Sequence, residues 1–314
     1  MRRLALLAAT AALLGSACGK KEDSPGPRQV DLALDFQPNV NHAGVYAAAR
    51  TGADRRHGLR LRVRAPSAST DSIKLLTARR VDLALVDIHD LALARQRGQD
   101  LVGVAPVVKE PLAAVIARRD VRRPRQLEGK RVGLSGLPSD DAVLRSVVSD
   151  DRGEPRRARS VTIGFSAVRS LIADRVDAVV AFWNAEGVAL RRSGIKTTEF
   201  RVSDHGAPPY PELVIAARRE TVDGDPRLVR AAVAAVEEGA RSALADRPAA
   251  VQEIADRSGQ ERKLTAQQLE ATASALRPPL RFDRKALEGF AAFDRRFGVL
   301  DRPLDVERAF DLRR

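Results

Sequence analysis

Short apolar runs, each closed by Gly, Pro or a charged residue, punctuate the first two-thirds of the chain and predict strands over 30–36, 59–64, 81–86, 102–107, 112–117, 131–135, 161–165, 177–182 and 213–217. Between them the apolar positions recur at helical spacing. Strands alternating with helices predict an α/β fold with mostly parallel sheets. After Asp225 the period becomes helical throughout, predicting helices over 226–245, 247–257, 265–276 and 284–297, with Thr265 as an N-cap. Phe290, Phe293 and Phe297 share one face of the last and are expected to be core.

Two phrases occur twice. SIKLLTARRVDLALVD (72–87) resembles AVRSLIADRVDAVVAF (167–182), and PLAAVIARRD (111–120) resembles PELVIAARRE (211–220). The α/β pattern alone can generate such echoes, but their spacing suits two similar lobes. On that reading 29–111 and 211–314 form lobe 1, and 112–210 form lobe 2. The strands at 111–118 and 211–218 cross between them, and the helical tail packs on lobe 1.

The chain has 314 residues, 44% hydrophobic and 30% charged, which suits a globular protein with a sizeable core. Its formal charge of +13 invites a nucleic-acid reading, but aromatics are only 4% and no nucleic-acid module is recognisable. The basic residues are scattered Arg pairs that fit solvated faces. Arg2 and Arg3, the apolar run Leu4–Leu14 and the small residues before Cys18 read as an export leader, too short to stay as a membrane span. Cys18 is the only cysteine and the candidate lipidation site, although Gly15 occupies the place usually held by Leu. Residues 19–28, rich in Gly, Pro and charge, read as a tether.

Ligands of α/β sheets bind outside the carboxyl ends of strands. Four loops qualify: 36–42, 87–90, 135–141 and 182–187. Asp35, Phe36, Asn39 and His42 form one candidate wall. Trp183 is the only tryptophan, and it stands at a strand end with Glu186 three residues on. A flat ring to stack and a carboxylate to accept from an exocyclic amine would suit an aminopyrimidine; a core Trp beside a solvated Glu is the alternative. His42 fits either a structural role at the helix start or direct ligand contact. His57 is expected to be solvated, and His89 and His205 to sit in loops near Asp. No ligand spacing supports zinc at His42, Asp87, His89 and Asp90. Ser139 is expected to cap a helix, with Asp140 and Asp141 disfavouring phosphate there.

Several segments resemble one family in order along the chain: LDFQPNVNHAG (34–44), VVKEPLAAVIAR (107–118), GLPSDDAVL (136–144), FWNAEG (182–187) and DHGAPPYPELVIAA (204–217). Together they resemble the thiamine-pyrimidine-precursor-binding proteins, a SsuA/THI5-like group of ABC-importer binding lipoproteins among the type 2 periplasmic substrate-binding proteins. The resemblance implies a two-lobed periplasmic-binding-protein type II fold with a helical C-terminal tail. It also implies an interlobe cleft for hydroxymethylpyrimidine or formylaminopyrimidine. It nominates Phe36, Asn39, His42, Trp183, Glu186 and Tyr210, with Asp87 added from its loop. Phe36 stands where the family usually has Trp, Asp87 where many relatives are uncharged, and Pro211 where a second Tyr is usual. These departures leave riboflavin, a sulfonate or another small solute as alternative cargo.

The implied partners are an ABC permease and its ATPase, with the membrane reached through the lipid anchor, no nucleic acid, and the protein a monomer exported to the extracytoplasmic face. Fungal members of the superfamily are pyrimidine synthases using a cysteine cluster, iron and a pyridoxal-phosphate lysine. A chain with one cysteine and scarce Lys is expected to be no enzyme and to carry no cofactor.

Overall fold

The computed structural model describes residues 26–313, so the leader and Cys18 lie outside the described residues. Ten strands form two five-stranded sheets. The first contains β1 (Arg28–Ala33), β2 (Leu59–Arg64), β3 (Leu83–Asp87), β4 (Leu101–Val108) and β10 (Leu213–Arg218), in the order β2-β1-β3-β10-β4. The second contains β5 (Ala113–Arg118), β6 (Arg131–Leu134), β7 (Arg159–Thr162), β8 (Ala178–Phe182) and β9 (Thr197–Arg201), in the order β7-β6-β8-β5-β9. The neighbours β2, β1 and β3 are parallel, as are β7, β6 and β8, while β10 and β5 run against the strands they pair with. The two sheets thus share one plan, the two-lobed architecture expected from the sequence.

Both echoes occupy equivalent places in that plan. The first pair becomes helix, turn and central strand, β3 in one sheet and β8 in the other. Each turn places a non-glycine residue in the left-handed region, Arg79 (φ 59°) and Asp174 (φ 55°). Each is followed by an aspartate whose carboxylate accepts a backbone N–H of the neighbouring strand, Asp82 from Asp31 and Asp177 from Arg131. The second pair becomes the reversed strands, β5 and β10.

Those reversed strands each belong wholly to one sheet. The expectation that they cross between the lobes is corrected accordingly: the chain crosses in the connections 109–112 and 202–212. The strand β9 has no counterpart in the sequence reading. Its run, TTEFR, buries only Phe200, so it offers no apolar run to recognise.

The helices Pro226–Ala245, Arg247–Ser258 and Arg262–Thr272 join the core of the first sheet through Val229, Val236, Ile254 and Leu269. Helix 43–51 approaches helix 226–245 closely at Gly239, where a Cβ would stand 2.1 Å from the Gly44 carbonyl oxygen. Helix Arg284–Arg296 meets the first lobe through Asp294, which pairs with His89, and its Leu287 and Phe290 lie in a second core that holds Ala84 and Val214 of the first lobe together with Val115 and Val147 of the other. Phe290 and Phe293 are buried, while Phe297 is only partly so. Thr265 is not an N-cap; it lies inside its helix, where its hydroxyl donates to the Glu261 carbonyl at 3.2 Å.

Candidate functional site

Loops after β1, β3, β6 and β8 meet around one interlobe cleft with two adjoining chambers. The inner chamber, about 70 Å³, is lined by Asp35, Phe36, Asn39 and Asp87 of the first lobe and by Ser135, Asp140, Phe182 and Glu186 of the second. No Lys, Arg or His lines it. The outer chamber, about 250 Å³, shares Asp35, Asp87 and Leu137 with the inner one and adds Ser69, Thr70, Asp90, Lys74 and Arg97.

The first wall is set by a short backbone motif. The Asn39 side-chain oxygen accepts the Asn41 N–H at 2.9 Å, and the Asn39 N–H donates to His42 Nδ1 at 3.1 Å. Because Nδ1 accepts, Nε2 carries the proton, and it donates to Asp35 Oδ1 at 2.9 Å. His42 is fully buried and lies behind the wall, fixing Asp35, while Asp35, Phe36 and Asn39 line the chamber. Phe36 meets Phe165 of the other lobe edge to face, centroids 4.4 Å apart.

Asp87 closes β3 and caps the helix Ile88–Gln96, accepting the His89 N–H at 2.7 Å. Burial and its acidic neighbours Asp90 and Glu212 push its carboxyl well up, opposed by His89. Asp90 accepts from the Ser139 hydroxyl at 3.0 Å and from its N–H at 3.3 Å, across the cleft. Burial, with Asp140 nearby, pushes Asp90 up to about 7. Ser139 is therefore no helix cap: it sits within helix Pro138–Asp150 and bonds the opposite lobe. Asp140 accepts from the Ser135 hydroxyl and the Gly136 N–H, at 2.8 and 3.1 Å, and burial pushes it up to about 6.

After β8 the chain makes a π-helical turn, Trp183–Gly187, of the kind often found at functional sites. It sends its side chains in different directions. Glu186 faces the chamber, accepting the Phe182 N–H at 3.2 Å, and burial raises its carboxyl. Asn184 points into the first lobe, donating to Asn41 Oδ1 at 2.9 Å and to the Thr272 hydroxyl at 2.6 Å. Trp183 is not among the residues lining the cleft chambers. Its Nε1 donates to the Pro111 carbonyl at 3.3 Å, and the Arg201 guanidinium lies 4.0 Å above its ring.

Tyr210 is likewise outside the chamber lining. It is fully buried against His89, ring centroids 5.0 Å apart, and Phe290, at 5.8 Å. His89 pairs with Asp294 at 2.6 Å, so His42 and His89 face separate carboxylates and do not converge with Asp87 and Asp90. His57, expected to be solvated, meets Glu238 at 3.1 Å, and His205 meets Asp150 at 3.0 Å.

Sequence reasoning missed Asp140 as a lining group, Phe182 as its apolar neighbour, and Glu212. Glu212 lies in the second crossing, fully buried, and its Oε2 accepts the N–H groups of Leu112, in the first crossing, and of Ala113, which begins β5. The adjacent strand ends pointed to Asp140 and Phe182; nothing local distinguished Glu212.

The profile described as NMT1/THI5 like matches residues 39–250. The chain is 31% identical over 223 residues to the formylaminopyrimidine-binding protein of Halalkalibacterium halodurans, covering 70% of this chain and 68% of that protein. It is 27% identical over 197 residues to a putative thiamine biosynthesis protein of Haemophilus influenzae, covering 62% and 63%. A yeast protein named 4-amino-5-hydroxymethyl-2-methylpyrimidine phosphate synthase THI11, from Saccharomyces cerevisiae, is 25% identical over 154 residues, covering 48% and 45%. In fold, the chain is similar to the alkanesulfonate-binding protein SsuA of Xanthomonas axonopodis pv. citri, with TM-score 0.71, 18% identity, and 92% and 99% of the two chains covered.

Proposed function

This chain belongs to the NMT1/THI5-like family, and on that footing we propose that it is the substrate-binding component of an ABC importer, capturing a thiamine-related aminopyrimidine in the interlobe cleft. One observation carries the choice of cargo. Phe36 and Phe182 line the inner chamber beside carboxyl groups, with no basic side chain lining it. An aminopyrimidine supplies what those groups lack: a flat ring for the phenylalanines and N–H donors for Glu186 and the aspartates. A sulfonate brings negative charge, which this lining repels, so the fold likeness to sulfonate-binding proteins does not extend to the cargo.

Capture is a closing of the lobes about the connections 109–112 and 202–212. Hydrogen bonds from Asn184 to Asn41 and from Ser139 to Asp90 hold the closed form on either side of the ligand. The closed surface is what the permease and its ATPase would recognise. The leader ending at Cys18 supports export and a lipid anchor at the extracytoplasmic face.

The test is calorimetric titration of the purified protein with hydroxymethylpyrimidine, formylaminopyrimidine, thiamine, riboflavin and an alkanesulfonate. Micromolar or tighter binding of a pyrimidine, weakened about tenfold or more by Glu186→Gln, supports the proposal. Binding of riboflavin or the sulfonate with silence toward pyrimidines overturns the cargo.

A further inference from the structure

The carboxyl groups of the cleft are divided between the lobes and opposed across it. Asp35, Asp87 and Asp90 stand on the first lobe, Asp140 and Glu186 on the second. Asp140 is more than nine-tenths buried, and its Oδ2 accepts from the Ser135 hydroxyl and the Gly136 N–H. Closing the lobes therefore drives like charges together in a space from which water is being expelled, where Coulomb repulsion is strong. Uptake of protons or arrival of positive charge relieves it.

The charged groups packed around this set do not neutralise it. His42 is committed to Asp35, and His89 to Asp294 behind Asp87 and Glu212. Lys74 and Arg97 line only the outer chamber, and both are exposed there. The inner chamber is left with acids from two lobes and no resident base.

We propose that the cleft takes its cargo as an organic cation, a protonated ring whose charge permits the two lobes to close on Asp140 and Glu186 facing Asp35 and Asp87. This rests on the pyrimidine reading, which it sharpens: a 4-aminopyrimidine is a weak base that takes its proton on the ring nitrogen opposite the amino-bearing carbon, and the protonated ring then offers charge-assisted N–H donors to carboxylates on either side. Two limbs follow. Below about pH 6 the carboxyl of Asp140 takes up its own proton and cation binding weakens. Above the basicity of the cargo's own ring, the cargo is neutral and binding weakens again.

The experiment is titration of the purified protein across pH with hydroxymethylpyrimidine, its non-basic 4-oxo counterpart, and benzamidine, an aromatic amidinium that stays charged through neutral and mildly alkaline pH. Each is repeated with Asp140→Asn and Glu186→Gln. The expected result is a bell-shaped profile for the aminopyrimidine, an acid limb alone for benzamidine, and binding of the oxo compound about tenfold weaker. Each variant should narrow the gap between aminopyrimidine and oxo compound, an effect that a merely structural defect would not produce. If the oxo compound binds within twofold of the aminopyrimidine at every pH, the cargo is neutral; the cation inference is overturned while the pyrimidine reading stands. If no pyrimidine binds but benzamidine does, with the acid limb, the cation inference stands and the pyrimidine reading fails.

Discussion

Glu212 accepts the backbone N–H of Ala113 at 3.1 Å, so a carboxylate of the second connection between the lobes is tied to the first residue of β5, where the first connection ends. It also takes the N–H of Leu112, while its own carbonyl accepts the Ile88 N–H at 3.1 Å, next to cleft residue Asp87. Replacing it with Ala leaves two buried donors without a partner. Glu212→Ala should lose about 2–6 kcal/mol of stability, because each of the two orphaned buried groups costs about 1–3 kcal/mol. Glu212→Gln keeps an acceptor oxygen and should lose much less. Urea midpoints of the two variants decide it; equal midpoints would remove Glu212 from this role.

Asn184 connects the π-helical turn to the first lobe through two buried hydrogen bonds. Asn184→Ala should leave the separate lobes intact and tilt the balance toward the open form. Ligand affinity is expected to fall about five- to tenfold, the worth of one to two net hydrogen bonds. Small-angle scattering with ligand at subsaturating concentration should give a larger radius of gyration than the parent. Unchanged affinity would mean that this contact does not hold the closed form.

His89 and Asp294 form a buried pair that makes stability depend on pH. The neighbouring Asp294, with Asp87 and Glu212, raises His89 from 6.5 to about 10 against the effect of burial. A histidine whose folded pKa is raised contributes stability that is fully present below about pH 6.5 and is lost as pH rises toward 10. Thermal midpoints should therefore decline over that interval. In the double variant His89→Leu with Asp294→Leu the decline should be shallower, and an unaltered slope would show that other groups set it.

Phe36 and Trp183 separate under mutation if their observed positions govern binding. Phe36 lines the inner chamber, whereas Trp183 is turned toward Pro111 and Arg201. Phe36→Ala should weaken ring binding about tenfold, combining lost stacking and lost apolar area. Trp183→Phe should change it less than twofold. The reverse order, read by calorimetry, would place the stacking partner at Trp183.

The apolar runs and the two echoes made the α/β alternation and the paired sheets legible, because burial on both faces of a central strand demands an unbroken apolar segment. The helix Pro226–Ala245 was legible to its ends, since Asp225 and Pro226 supply a cap and a first-turn proline. The edge strand Thr197–Arg201 was not legible, because an edge strand with one buried residue has no pattern of its own. The cleft loops were found from strand ends, and Phe36, Asn39, Asp87 and Glu186 line the inner chamber. Sequence spacing could not say that the π-helical turn directs Trp183 away from the cleft and Glu186 into it, because that depends on the turn's local winding.

From the sequence alone came the order of elements, the repeat that makes two lobes, the loops that line the cleft and the family. These rest on period, run length and local turn chemistry, which neighbouring residues settle among themselves. Only the tertiary structure decided that Asp140 faces the first lobe's carboxyls, that His42 serves Asp35 from behind, and that Glu212 bridges the two crossings. Each of those relations joins groups distant in the chain or on opposite lobes, or depends on which way a buried side chain turns. Their energies come from burial and from the partner met there, and no local pattern carries that information.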